Sequence, residues 1–165
     1  MDIRLGKASD LDSILRIYNH YVSETHATFD LEPRSLDERR SWFERFAGSE
    51  RLRLLVASDG GRVQGYACST PFKSRPAYSV SVETSVYLDP ESLGRGIGRR
   101  LLETLLEQLE GTGVHGAYAG ICLPNEASVR LHESLGYRLV GTLSEVGYKF
   151  DRYWDVAWYE RRIGH

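Results

Sequence analysis

Apolar residues along this chain recur in two rhythms, one of period 3.6 and one of period 2, and the changes between them mark the elements. After a short strand at Ile3 and Leu5, the positions Leu11, Ile14, Leu15, Tyr18 and Val22 share one face of a helix that Ser9 or Asp10 caps. Ser35 and Glu38 stand at capping-box spacing ahead of Trp42, Phe43 and Phe46, which predicts a second helix. The runs "RLLVAS" (53–58) and "VQGYACSTPF" (63–72) flank Asp59-Gly60-Gly61-Arg62, whose glycines supply the positive φ angles of a hairpin turn. "YSVSVETSVYL" (78–88) alternates over much of its length and reads as one long strand. Ile97, Leu101, Leu102, Leu105, Leu106 and Leu109 form the inward face of a third helix, stopped by Gly111-Thr112-Gly113. "AYAGICL" (117–123) reads as a buried strand, "PNEASVRLHESLGY" (124–137) as a helix ended by Gly136, and 138–150 and 153–163 as closing strands. The order β-α-α-β-β-β-α-β-α-β-β, undivided by linker or repeat, predicts one α/β (α+β) domain over 1–165, with a mixed, mostly antiparallel central sheet flanked by helices.

Composition narrows the partners. Hydrophobic residues at 41% and charged residues at 27% give the balance of a globular protein, and 165 residues suffice for a core without staples. No apolar run approaches the roughly 18 residues of a membrane helix, and "MDIRLGKASD" lacks the apolar segment of a signal peptide, so a cytoplasmic location without membrane contact is expected. A net charge of −2 speaks against nucleic acid. Cys68 and Cys122 lie in apolar runs and read as buried thiols; His20, His26, His115 and His165 show no metal-ligand spacing, and no metal is expected.

The stretch "LGRGIGRRLLETLLEQL" (93–109) puts glycines at 94, 96 and 98 on the threshold of the third helix. A strand that feeds a glycine-rich turn into a helix presents free backbone N–H groups at the positive end of the dipole, a site for phosphate; the plain alternative is a turn and nothing more. A Rossmann turn would need a glycine where Arg99 stands, and no Gly-Lys-Ser/Thr follows as in a P-loop.

"SVYLDPESLGRGIGRRLL" (85–102) and "LPNEASVRLHESLGY" (123–137) together resemble the two acetyl-coenzyme A motifs of the GNAT N-acetyltransferase superfamily. "YNHYV", "TFDLEP" and "KSRPAYSVSVETSVYL" extend the resemblance to its phosphinothricin acetyltransferase family, and it covers nearly the whole chain. It implies a GNAT-like fold and acetyl-coenzyme A as co-substrate. The pyrophosphate would lie on Gly94, Arg95, Gly96, Ile97, Gly98 and Arg99, with Arg95, Arg99 or Arg100 reaching the outer phosphate. Leu93 departs from the pattern, which carries Gln or Arg there, so side-chain assistance should be weaker.

Acetyl transfer to an amine needs a neutral amine, a polarised carbonyl and a protonated leaving thiol. The resemblance gives the base to Glu83 and the carbonyl's backbone donors to Val86, Tyr87 and Leu88, where the family's strands splay. His132 stands where the pattern often has Tyr and is either a proton donor to the thiol or a hydrogen-bonding guide. Asn125 caps its helix or holds the pantetheine arm. On the acceptor side, Lys73 and Arg75 would face acidic groups, Phe29 and Tyr78 the apolar wall, and Glu83, Thr84 and Ser85 the reacting amine. The implied reaction acetylates the α-amine of phosphinothricin, methionine sulfone or methionine sulfoximine. The alternatives are another amine (polyamine, peptide N-terminus, aminoglycoside) or a coenzyme-binding module without turnover. The family also implies a homodimer, with the aromatic stretch "YWDVAWY" (153–159) as interface or core.

Overall fold

A computed structural model describes residues 1–164; His165, given no role above, lies outside the described residues. In chain order the elements are β1 (Asp2–Leu5), α1 (Leu11–Glu24), α2 (Leu36–Glu44), β2 (Leu54–Asp59), β3 (Arg62–Pro71), β4 (Ser81–Leu88), α3 (Ile97–Leu109), β5 (Gly116–Cys122), α4 (Glu126–Ser134), β6 (Arg138–Lys149) and β7 (Arg152–Arg162). The order is the one the two rhythms predict. The strands form one sheet in the order β1-β2-β3-β4-β5-β7-β6, antiparallel throughout except between β4 and β5.

Two local expectations change. The strand read from Tyr78 begins at Ser81, because Pro76 opens a 3-10 turn over Pro76–Val80, where its fixed φ fits and its missing N–H costs nothing. Asp10 occupies the N-cap position of α1 without capping it, since its carboxylate accepts two bonds from Arg4 (2.7 and 2.9 Å) and one from the Lys7 N–H. The capping box of α2, by contrast, is complete: the Ser35 hydroxyl accepts from the Glu38 N–H, and the Glu38 carboxylate from the Ser35 N–H.

The two faces of the sheet carry different layers. Leu101, Leu102, Leu105 and Leu109 of α3, all at 0% exposure, pack with Ala67, Val82, Ala117, Ala119 and Ile121 on one face. On the other, Ile14 and Ile17 of α1, Trp42 and Phe43 of α2 and Phe46 just beyond it pack against Leu54, Val56, Tyr66 and Cys68. Because strand side chains alternate, Val82, Thr84, Val86 and Leu88 of β4 face α3, and Glu83, Ser85 and Tyr87 face α1 and α2.

The stretch 153–159 lies on a strand flanked by β5 and β6, and Trp154, Ala157 and Tyr159 are buried in it. Most of it is sheet interior, with Tyr153 exposed at its start; beside it, the edge strand β6 and its turn expose Leu139, Val140, Leu143, Val146, Tyr148 and Phe150.

Candidate functional site

The site begins where β4 and β5 part. They pair in parallel only over Ser81–Glu83 and Gly116–Tyr118, yet β4 runs on to Leu88 and β5 to Cys122. From Thr84 onward, β4 has a strand partner on the β3 side alone, so backbone groups on its other edge are left for something else. The Thr84 hydroxyl crosses the gap to the Tyr118 carbonyl (3.4 Å) and meets the Tyr137 hydroxyl at 2.7 Å. Thr84 is therefore buried on the α3 side, away from Glu83 and Ser85, and its side chain does not join the acceptor wall expected of it.

The glycine turn closes one end of this gap. Gly94 and Gly96 both have φ of +73°, a left-handed conformation that a Cβ disfavours, and open space lies where a Cβ would point. Gly98 differs: its φ is ordinary, and a Cβ there would make ordinary van der Waals contact with Leu88 at 3.4 Å and Leu131 at 3.5 Å. Gly96 is the N-cap of α3, and the first intrahelical bond runs from the Arg100 N–H to the Gly96 carbonyl. The N–H groups of Ile97, Gly98 and Arg99 thus have no helical acceptor, which makes an anion site at the dipole's positive end. Among the basic side chains, Arg99 is taken by the Ser134 hydroxyl (2.8 Å) and lies near Glu103, while Arg95 and Arg100 form no ion pair among the described residues.

At the other end, Asn125 caps α4 through Oδ1, which accepts from the Ser128 N–H. His132 is buried one turn further, edge-on to Tyr137. Its Nδ1 lies 2.8 Å from the Ser128 carbonyl. A carbonyl can only accept, so Nδ1 carries the proton, and Nε2 is a buried lone pair with no partner. Burial lowers the pKa of this imidazole and keeps it neutral. Of its two expected roles, this geometry suits the guide and works against the proton donor.

On the α1 and α2 face, Glu83 and Ser85 line a cavity of about 340 Å³ with Phe29, Tyr87, Cys122 and Trp158. Glu83 is half-buried, and burial alone pushes its carboxyl up, with no neighbouring cation to hold it down. Burial raises the Cys122 thiol to about 11 and the Cys68 thiol to about 12, so neither is a nucleophile at neutral pH. Phe29 is seated on Gly147 of β6, where a Cβ would collide with its ring. Lys149 reaches the Thr28 carbonyl (2.8 Å), and Trp154 stacks on His26 at 4.1 Å, fixing the same loop. We expect Gly147→Ala to push Phe29 off its seat and raise the acceptor KM severalfold at unchanged coenzyme KM; equal changes in both constants would contradict this packing.

Lys73, Arg75 and Tyr78 line a separate, adjoining hollow of about 760 Å³ beside Thr70. Lys73 lies 5.5 Å from the ring centroids of Phe72 and Tyr78. The acceptor residues expected together are thus divided between this hollow and the Glu83 cavity. Between the two lies a third, of about 480 Å³, whose lining shares Ser85 and Tyr87 with one and Trp42 and Thr70 with the other. Sequence reasoning missed its cation, Arg39. The signal was there: 39, 42 and 46 fall on one helical face, so a charge shares the stripe of Trp42 and Phe46. Among the described residues, no group of His, Cys, Asp and Glu is arranged to hold a metal ion, and no helix is long and apolar enough to cross a membrane.

Comparisons with known proteins agree with this geometry. Residues 3–158 match the family model described as an acetyltransferase (GNAT) domain. The chain is 50% identical to a phosphinothricin N-acetyltransferase of Streptomyces coelicolor, over 99% of this chain and 96% of the relative. It superposes with TM-score 0.95 on a ribosomal-protein-alanine N-acetyltransferase from Brucella melitensis, at 37% identity over 99% of this chain and 100% of that one. The TM-score is 0.94, at 36% identity over 99% and 88%, for a GNAT superfamily phosphinothricin acetyltransferase from Sinorhizobium meliloti in complex with AcCoA.

Proposed function

Since the chain belongs to the GNAT acetyltransferase family and is an acetyl-CoA-dependent acyltransferase, we propose that it acetylates the α-amine of a small amino acid with an oxygen-rich side chain. Phosphinothricin, methionine sulfone and methionine sulfoximine are the acceptors. The observation that carries this reading is Glu83: a half-buried carboxylate with no cationic partner among the described residues, at the residue where β4 and β5 separate, facing a cavity of about 340 Å³. The adjoining Lys73 and Arg75 supply positive charge for the acceptor's acidic groups.

Acetyl-CoA fits the splayed gap. The unpartnered N–H groups at Ile97, Gly98 and Arg99, with the open turn of Gly94, Arg95 and Gly96, suit a pyrophosphate. Asn125 at the start of α4 has its Nδ2 for the pantetheine arm, and the His132 lone pair accepts an N–H or S–H there. The α-ammonium of a free amino acid titrates well above neutral pH, so nearly all of it is protonated there, and Glu83 takes that proton directly or through water. The amine nitrogen then attacks the thioester carbonyl. Backbone N–H groups of Val86 and Leu88 on the free edge of β4 stabilise the oxyanion, while that of Tyr87 between them points to β3; the C–N bond forms and the C–S bond breaks. The thiolate leaves without a dedicated acid and takes up, through water, the proton that the attacking nitrogen loses as the amide forms.

The test is coenzyme A thiol release with phosphinothricin, methionine sulfone, methionine sulfoximine, ordinary amino acids, spermidine and an alanine-terminated peptide. Release with the first three supports the reading. Release with the peptide alone supports acetylation of a protein N-terminus, the activity named for the Brucella structure. Coenzyme binding without turnover would leave a binding module.

A homodimer is part of the same proposal. Its surface is the apolar edge of β6, since an unpaired edge strand carrying Leu139, Val140, Leu143 and Val146 is a template for a second copy. Light scattering should give about twice the 18.7 kDa chain mass, falling to one when Val140 and Val146 become Lys; a wild-type monomer would contradict it.

A further inference from the structure

The Arg39 guanidinium is a cation without a counter-ion in the middle of the acceptor face. The residue is 6% exposed, its Nε is buried with no hydrogen-bond partner, and it forms no ion pair among the described residues. Two aromatic contacts position it, with Cζ 4.5 Å from the Tyr18 ring centroid and 4.4 Å from that of Trp42. Such contacts hold the cation and consume none of its N–H donors.

The charges around it are already committed. Asp30 and Glu38 line the same cavity of about 480 Å³, but Asp30 is held by Arg34 at 2.7 Å and by the Tyr18 hydroxyl, and Glu38 lies 3.9 Å from the same Arg34. With Arg45, the cavity's three guanidinium groups face two carboxylates, so one positive charge is left over. An uncompensated buried cation is costly, and proteins keep one where a ligand supplies the anion.

Its position says which part of the ligand. Thr70 pairs with Glu83 and Cys68 with Ser85 in the β3–β4 register, so the Arg39 cavity runs alongside Glu83 on the same face. The hollow of Lys73 and Arg75 adjoins it at Thr70 and Trp42. The Arg39 cavity lies between the Glu83 cavity and that hollow, so an amino acid whose amine lies at Glu83 and whose side chain runs toward the basic hollow brings its distal group beside Arg39. We propose that Arg39 binds the distal tetrahedral oxygen group of the acceptor side chain, and so sets the preference for phosphinate- and sulfone-type acceptors over plain aliphatic ones. This rests on the small-amino-acid reading above, and it gives that reading a chemical reason for its acceptor class.

The test is calorimetric binding of three acceptors to the full chain: phosphinothricin, with an anionic phosphinate; methionine sulfone, with two neutral oxygens; and methionine, with none. Arg39→Met should weaken phosphinothricin about 10- to 100-fold, the range of a hydrogen bond to a charged group, and methionine less than about threefold. Arg39→Lys should fall between, because it keeps the charge and loses the fork. The ratio between acceptors is taken within each variant, so a merely structural arginine, whose loss lowers all three affinities together, leaves it unmoved. An unmoved ratio overturns the inference, as does a wild-type protein that binds methionine as tightly as phosphinothricin. Thiol release separates the two claims: Arg39-dependent binding without turnover fails the proposed function alone, and turnover with an unmoved ratio fails this inference alone.

Discussion

Replacing Glu83 by Gln should lower kcat by about 10²- to 10⁴-fold, the usual worth of a positioned base, while the acetyl-CoA dissociation constant stays within about twofold. The same substitution should make the protein more stable at neutral pH. Burial raises the Glu83 carboxyl above its unfolded value, so the folded chain holds this proton more tightly than the unfolded one. Below the unfolded carboxylate pKa of about 4.3 both states are protonated and the group costs nothing. As pH rises through the raised folded value, the ionised carboxylate is stranded in its cavity and stability is lost. Gln bears no such charge. Melting of wild type and Glu83→Gln should therefore coincide at low pH and diverge above it, with the variant higher. In wild type, kcat/KM should fall on the acid side as the base is protonated, with a midpoint above that of an ordinary carboxylate. A variant that keeps turnover across pH, or melts lower at neutral pH, would remove Glu83 from the base role.

Gly96→Val should raise the acetyl-CoA KM about tenfold or more and leave the acceptor KM nearly unchanged. The open space around Gly96 does not rescue the change, because its φ of +73° is a conformation that costs a residue with a Cβ about 1–2 kcal/mol, and more when the side chain is branched. The turn relaxes toward negative φ, and the N–H groups at Ile97 and Gly98 swing away from a common anion. At about 1.4 kcal/mol per factor of ten, that strain alone brings the loss to the stated size. Gly98→Ala is the contrasting variant. There φ is ordinary and a Cβ meets Leu88 and Leu131 at 3.4 and 3.5 Å, ordinary van der Waals contact, so the variant should fold and both Michaelis constants should stay near wild type. Equal effects of Gly96→Val on both Michaelis constants, or on neither, would contradict a pyrophosphate site on this turn.

Much of this was legible before the fold was known, because period alone decides which side of a helix or strand is buried. The six apolar positions of α3 and the β4 alternation are read directly from it. Alternation also places Thr84 opposite to Glu83 and Ser85, and grouping the three as one acceptor wall overrode that signal in favour of adjacency in sequence. What stayed hidden depends on elements far apart in the chain. The gap between β4 and β5 exists because residues 84–88 and 119–122 diverge after three paired positions, and no local pattern in either strand announces that. Arg39 shares its helical stripe with Trp42, which is legible locally, but that Tyr18 of α1 closes over its other side is not. The hollow of Lys73 and Arg75 likewise depends on distant elements, since the turn Pro76–Val80 lines it together with Trp42 of α2 and Thr70 of β3.

The central claim, direct transfer of acetyl to the α-amine of a small amino acid, is tested by following the acetyl group itself. Wild-type protein is given acetyl-CoA labelled in the acetyl carbons together with phosphinothricin, and the products are resolved by mass spectrometry with fragmentation. The account predicts label on the α-nitrogen of the acceptor, one acetyl per coenzyme A thiol released, and none left on the protein. Label recovered as free acetate, or retained covalently on the chain, would contradict it.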